Sequence, residues 1–577
     1  MMKKTTLTVG TMAIGIFLCM LDTTVMNIAL PAMQTGLQTS LSQLSWALNL
    51  YTILFASLTI PLGRLADIYG RHRFYILGLA LFLMGSLTSG MAASVSWLIA
   101  GRGIQSLGAA IVFPASMTIG LEHVSLAKRT SVIAILGTTQ GLASALGPTI
   151  GGAVTQFWGW RGIFLINVPL VVLALGLCLW LLDWHQPRLR NVKIDWWGSL
   201  FSMVTLFSLT LVLVKGSDWG WTSSVILALG GLSIVSLSVF IWTEAHVAQP
   251  MMPLDLFKTR QFTGAAVITV IAGIFLVALL VLLPSFFTKV QSHDELTAAL
   301  MITPTSLMIF IFSPISGLLL TKVGPRLVIA SGAVAMVAGY IVISWADPAD
   351  YWQVLLALLL VGAGYGIMIG PITVLAAGNF TGDLLTASQS VIGVARQIGT
   401  SLAVAIFVAA LSTNLTTAKT HIWHTAQREV AALTIDRQAK TDTLTAVYRQ
   451  LQTEQTAMTS GPAISAAKQR RLVQTTTQRV LQQKHLQAAP TAVKKQVAKQ
   501  VQQQVARTVA TDNRQIAQVT AKIKHTTKMA LTQAFMRPYR IALPFTISLL
   551  LLVGLFDRRR DYLQLTDEHE KNSGTHQ

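Results

Sequence analysis

The sequence predicts an all-α polytopic membrane protein with fourteen crossings, and three observations predict it. The 577 residues are 53% hydrophobic and only 11% charged, with a mean hydropathy of +0.58, whereas soluble domains carry roughly 25% charged residues. Apolar runs of about 20 residues recur, each able to cross a hydrocarbon core of roughly 30 Å. Basic side chains gather in alternate short loops, as they do on the inner face of membrane proteins.

In chain order the apolar segments lie at 9–31, 46–66, 74–94, 97–119, 130–155 and 161–182. Two more follow at 196–214 and 222–243, then 262–287, 298–320, 327–346, 352–375 and 388–411, and a last one at 538–556. The opening "MMKKTTLTVG" resembles a signal peptide, but the run behind it is too long and "NIALPAMQTGL" is a poor cleavage site, so it reads as a retained first span. Loops after even-numbered spans carry Arg64/Arg71/Arg73, Lys128/Arg129, Arg188/Arg190/Lys193, Lys258/Arg260 and Lys322/Arg326. Loops after odd-numbered spans, such as 32–45 and 93–96, have almost no charge. The positive-inside rule therefore predicts cytoplasmic termini in a cell membrane. Cys19 and Cys178 both fall within apolar spans, where a thiol behaves as a small hydrophobe.

An internal repeat is visible. "GRLADIYGRHR" (63–73) follows the second span and "GLLLTKVGPR" (317–326) follows the tenth. With spans seven and eight as an insertion, the tenth becomes the second span of another six-span half. Two such halves around a midplane site are the logic of a secondary transporter. The expected organisation is a six-span bundle over 1–186, two additional spans and a linker over 187–260, and five spans of a second bundle over 261–411. A helical loop over 412–537, a last span over 538–557 and a cytoplasmic tail over 558–577 complete it.

The net charge of +20 is concentrated rather than spread. Residues 412–537 hold nineteen Lys/Arg against five Asp/Glu, which argues against nucleic acid as a partner of the whole chain. Val493, Val497, Val501, Val505 and Val509, then Ile516, Val519 and Ile523, form a stripe at mostly four-residue spacing, the mark of a long amphipathic helix. Leu444, Val447/Tyr448 and Leu451 give a weaker stripe, and "TSGPA" (459–463) and "AAPTA" (488–492) read as breaks. The span count places this module outside the cell. It is either a solvated cap without a ligand or a surface for an anionic cell-surface polymer.

Two charges sit at membrane depth. A carboxylate such as Asp22 costs about 2.5–3.5 kcal/mol at a span centre on insertion scales. It is either a structural residue bonded to backbone or Asn27, or a proton carrier, because enclosure favours its neutral form and a nearby cation its charged form. Arg102, with Gln105 at i+3, is either a packing contact or a partner for that acid. No P-loop and no His-x-x-x-His or mixed Cys/His cluster is present, so neither an enzyme, ATP drive nor a metal is expected. A proton gradient is the expected energy source, with no cofactor.

"LDTTVMNIALP" (21–31), "GRLADIYGRHR", "RGIQSLGAA" (102–110), "GPTIGG" (147–152) and "WRGIFLINVP" (160–169) together resemble the major facilitator superfamily, and within it the fourteen-span drug:proton antiporters. The resemblance implies two six-helix bundles plus two extra spans, with Asp22 and Arg102 handling the proton. It implies a conformational latch at Gly63, Asp67, Gly70, Arg71 and Arg73. It also implies a bent antiporter helix at Gly147, Pro148, Gly151 and Gly152, a pattern that favours export. Ser106 stands where such proteins commonly have glycine. Asn27, Trp46, Tyr51, Gln105, Gln140, Asn167 and Arg396 are candidate cavity residues, suited to bulky amphipathic compounds. The expected activity is proton-coupled export of drugs, lipophilic cations or neutral toxicants. Alternatives are export of an envelope lipid or glycolipid on the same fold and, more remotely, a membrane-anchored surface-interaction protein. Spans ten and thirteen contain no carboxylate, which argues against dicationic cargo.

Overall fold

The computed structural model describes residues 2–39, 41–122, 124, 126–183, 195–247, 250, 252–378, 380, 382–453 and 466–562. Among them the fold is helical, with no strand. The first bundle contains α1 (Met2–Gly36), α2 (Leu41–Tyr69), α3 (Arg71–Gly90), α4 (Val95–Leu121), α5 (Leu126–Trp158) and α6 (Asn167–Leu181). Next come α7 (Trp196–Trp219) and α8 (Ser224–His246), then α9 (Arg260–Lys289), α10 (Glu295–Val323), α11 (Pro325–Trp345), α12 (Tyr351–Ala377) and α13 (Gly382–Ala431). The last three long helices are α14 (Arg437–Thr453), α15 (Ala466–Gln483) and α16 (Thr491–Thr546).

Thirteen helices of the described residues are long and apolar enough to cross a membrane; α5, with its described apolar stretch Ser131–Ala143, takes the fifth place between them. Side-chain caps fix where several begin. Ser94 accepts from the Trp97 N–H (3.3 Å), Asp195 from Gly198 (2.8 Å) and Asp350 from Trp352 (3.0 Å), each satisfying a donor that a helix start leaves unpaired. Large apolar side chains such as Trp180, Trp196, Trp345 and Trp352 are exposed at helix ends, where amphipathic rings suit a membrane–water boundary.

The repeat read from the sequence recurs in the backbone. The α2–α3 turn pivots on Gly70 at φ 108° and the α10–α11 turn on Gly324 at φ 95°, a region that side-chain-bearing residues avoid. The following helix pairs also match. A methyl at Gly78 of α3 would meet the Gly108 carbonyl of α4 at 3.1 Å, and one at Gly332 of α11 would meet the Gly364 carbonyl of α12 at 2.8 Å. Small residues let such helices approach without a hydrophobic driving force between them. The additional pair α7–α8 is joined by the Thr205 hydroxyl donating to Ser236 (2.9 Å) and Ser233 donating to the Thr205 carbonyl (3.3 Å).

The chain divides into two compact units. One comprises 1–284, 294–409 and 538–577; the other comprises 285–293 and 410–537. In the second unit half of the α16 stripe is buried: Val501, Val509, Ile516 and Ile523 are, as are Ile422 and Val430 of α13 and Val447 of α14, while Val497, Val505 and Val519 are half-buried and Val493 is exposed. The break at 488–492 is present, with helix resuming at Thr491; the 459–463 break lies outside the described residues, as do Arg188, Arg190 and Lys193. Helix boundaries depart from the expected spans in two places. α13 continues past 411 to Ala431, and α16 already begins at Thr491. Neither 412–431 nor 491–537 contains Gly or Pro, so hydropathy falls there without anything to stop the helix.

A buried carboxylate–guanidinium site and a basic-end clasp

The first-span acid is enclosed. Asp22 of α1 and Arg102 of α4 are 0% and 1% exposed and form an ion pair through Oδ2 and Nη1. The i, i+3 spacing of Arg102 and Gln105 puts both on one face of α4. Arg102 Nη1 also donates to Gln105 Oε1 (2.8 Å), and Gln105 Nε2 donates to Asp22 Oδ1 (2.8 Å) and Ser86 Oγ (3.0 Å). Asn167, at the start of α6, donates to the same Oδ1 at 3.4 Å, while its own carbonyl oxygen makes no hydrogen bond. Arg102 Nε donates to the Ala47 carbonyl of α2 (3.3 Å), and the guanidinium lies 4.1 Å from the Tyr51 ring centre. Five helices thus converge on one carboxylate–guanidinium pair.

Tyr51 is fully buried and donates to the Cys19 carbonyl (3.2 Å), so its ring serves as a platform under Arg102. Ser106 has a specific task. Its hydroxyl donates to the Tyr51 carbonyl at 2.8 Å, tying α4 to α2 beside the ion pair. Trp46 faces the inserted helices instead, with its ring 6.1 Å from Trp219 and 4.9 Å from the Lys215 ammonium. The side chain of Asn27 lies outside the described residues.

α1 leans on α5 at the glycines. A methyl at Gly151 would press on Val25, at 3.1 Å from its side chain, and Gly147 lies against Thr24. α5 runs unbroken through Pro148. On its other side α5 touches α10, through Thr149–Thr303 (2.7 Å), Thr138–Ser313 (3.1 Å) and Gly152 against Ala299. Gln140 of α5 accepts from Arg396 Nη2 of α13 at 2.7 Å. One helix therefore touches both the Asp22 helix and the second half.

The motif after α2 meets α13 at the basic end of the bundle. Asp67 pairs with Arg71 at 2.5 Å and accepts from the Thr386 hydroxyl at 3.0 Å. Asp383 pairs with Arg64 at 2.5 Å and with Arg71 at 3.4 Å. Thr118 of α4 and Thr386 share a hydrogen bond of 3.0 Å, and Gly63 lies against Ser390, where a methyl would meet its hydroxyl at 2.9 Å. Gly70 provides the turn, and Arg73 is exposed on the first turn of α3. Sequence reasoning missed Asp383, Thr386, Ser86 and Ala47. Asp383 had a detectable signal, a lone acid on the first turn of a span, but its partners lie more than 300 positions away. Among the described residues no cluster of three or more His, Cys, Asp or Glu can hold a metal ion.

The chain is similar in sequence to several known proteins. The chain is 30% identical over 408 residues to "Multidrug resistance protein Stp" of Mycobacterium tuberculosis (strain CDC 1551 / Oshkosh), covering 70% of this chain and 76% of that one. It is 31% identical over 409 residues to "Methylenomycin A resistance protein" of Bacillus subtilis (strain 168), covering 68% and 85% respectively. "Multidrug transporter protein MdtP" of the same Bacillus strain is 28% identical over 414 residues, covering 71% and 76%. The family profile described as Major Facilitator Superfamily matches residues 12–404. With most of the first bundle, the interposed helix pair, the paired turns and α9–α12 within that match, the chain belongs to the Major Facilitator Superfamily.

Proposed function

We propose that this protein is a proton-coupled antiporter that exports amphipathic small molecules by alternating access, with both termini in the cytoplasm and residues 412–537 outside. The observation that carries the reading is the Asp22 site: a fully enclosed carboxylate held by a guanidinium, two amides and no second acid. Arginine stays charged in proteins, so Arg102 can tune the carboxylate but cannot carry the proton. Protonation cancels the attraction between α1 and α4 and leaves the amides as the ties that remain. α1 then bears differently on Gly147 and Gly151 of α5, and α5 on the second half. The clasp of Arg64, Arg71, Asp67 and Asp383 closes the cytoplasmic end and must part for cargo to enter from that side. The resistance names of the relatives support drug-like cargo. A proton entering down 100 mV releases about 2.3 kcal/mol, and each pH unit adds about 1.4 kcal/mol. One or two protons therefore sustain a gradient of roughly a hundredfold or more.

The test is uphill transport by protein reconstituted in liposomes under an imposed pH gradient, with wild type and Asp22→Asn side by side across cationic, neutral and anionic amphipathic dyes. Asp22→Asn is expected to retain downhill exchange and lose gradient-driven accumulation. Unchanged uphill transport with the same pH dependence refutes the assignment of the proton to Asp22.

A further inference from the structure

Arg396 stands about four turns into α13, 7% exposed, with one side-chain hydrogen bond to a neutral partner, the Gln140 amide oxygen. Its Nε and Nη1 make no hydrogen bond. The next residue, Gln397, has an unbonded amide nitrogen, and one turn on the Ser401 hydroxyl is also unbonded; each side chain is 3% exposed. All of these groups can donate. Among the described residues no carboxylate is paired with Arg396. α5, α9, α11 and α12 contain no Asp or Glu, and α10 has only Glu295, in its first turn. Within the first unit Asp383 is the only acid on α13. It lies thirteen residues before Arg396, about 20 Å away at 1.5 Å per residue, and is already paired with Arg64. Asp22 is paired with Arg102.

A buried, permanently charged guanidinium without a counter-charge is unfavourable, and its planar fork matches a carboxylate with two parallel hydrogen bonds. We infer that Arg396, with Gln140 holding its Nη2 and its Nε and Nη1 unbonded, recognises a carboxylate on the exported molecule. The cargo is then an amphipathic organic acid rather than a lipophilic cation. This rests on the transport reading above and narrows it. The arrangement also discriminates by repulsion: a cationic substrate meets an uncompensated cation at this place. Through Gln140, the anion site is joined to α5, the helix against which the Asp22 helix packs.

The test uses three probes with one aromatic body: 1-pyrenebutyrate, its primary amide, and a pyrenebutyl trimethylammonium ion. Binding to the full-length purified protein is followed by fluorescence and thermal stabilisation. The acid is expected to bind wild type about tenfold to a hundredfold more tightly than the amide, and the cation least. Arg396→Gln removes the preference while still binding the amide, which also reports that the variant is folded. Arg396→Lys keeps part of the preference, because a point charge remains without the fork. Wild type binding the acid no better than the amide overturns the inference, as does a preference that survives Arg396→Gln. Chloride that stabilises wild type alone and abolishes the acid preference assigns the site to an inorganic anion and also overturns it. Gradient-driven transport separates the two readings. Arg396-dependent acid binding without proton-driven accumulation removes the antiport reading alone, and proton-driven transport indifferent to Arg396 and to probe charge removes this inference alone.

Discussion

Neutralising Asp383 is the most direct perturbation of the clasp. Its carboxylate holds Arg64 at 2.5 Å and Arg71 at 3.4 Å. Breaking a fully buried pair costs about 3–5 kcal/mol, and a surface pair is worth about 0.2–1 kcal/mol. Here the Asp383 side chain is 40% exposed against 13% and 17% for its two partners, so solvent screening takes most of the buried figure away and about 1–2 kcal/mol remains. Asp383→Asn is then expected to raise the population parted at the basic end by roughly 5- to 30-fold. The assay is alkylation of Ser390→Cys, a position now 2% exposed and covered by Gly63. The native Cys19 and Cys178 are 1% and 0% exposed and contribute little background. When opening is fast relative to labelling, the rate follows the open population. Arg64→Gln is expected to act in the same direction, with the double variant well short of additive. An alkylation rate unmoved by Asp383→Asn refutes the clasp as a determinant of closure.

Three further predictions concern other parts of the molecule. Ser106→Ala removes the hydroxyl that ties α4 to the Tyr51 carbonyl and is expected to cost about 0.5–1.5 kcal/mol, the net worth of one hydrogen bond whose acceptor keeps its helix partner, read as a lower melting temperature in detergent. Ile523→Ala, at a position 1% exposed on α16, is expected to cost about 2–5 kcal/mol and to speed hydrogen exchange in the peptides of 437–530 while leaving α1–α4 unchanged. In the same unit the Lys468 ammonium, hydrogen-bonded at 2.7 Å, holds the Asp442 carboxyl below its ordinary value. A depressed value gives a contribution that is whole above the unfolded value of about 3.9 and fades as pH falls through the lower folded value. Asp442→Asn is therefore expected to speed exchange across 437–483 modestly at pH 7 and to match wild type under strong acid; equal exchange at pH 7 refutes the contact.

What could be read from the sequence follows from what a linear pattern carries. Asp22, Arg102 and Gln105 were legible because charge at membrane depth is expensive and a spacing of three fixes a shared helix face. The two turn glycines were legible because both halves repeat the same motif. Ser86 and the Ala47 carbonyl were not, since a serine or a backbone oxygen carries no mark of its neighbour on another helix. Trp46 illustrates the same limit: residue type suggested a cavity, but the helix face it occupies turns it toward Lys215 and Trp219. The extents of α13 and α16 escaped because hydropathy marks where lipid ends, not where a helix does.

The neighbours of Arg102 have one more consequence. Under the proposed antiport, protonation of Asp22 would not leave the guanidinium stranded, for the Ala47 oxygen, the Gln105 oxygen and the face of Tyr51 also hold it. Three contacts of Arg102 thus do not depend on the charge of Asp22. A lopsided nest, generous to one form only, would lock the acid permanently full or permanently empty, and a carrier that never lets go moves nothing.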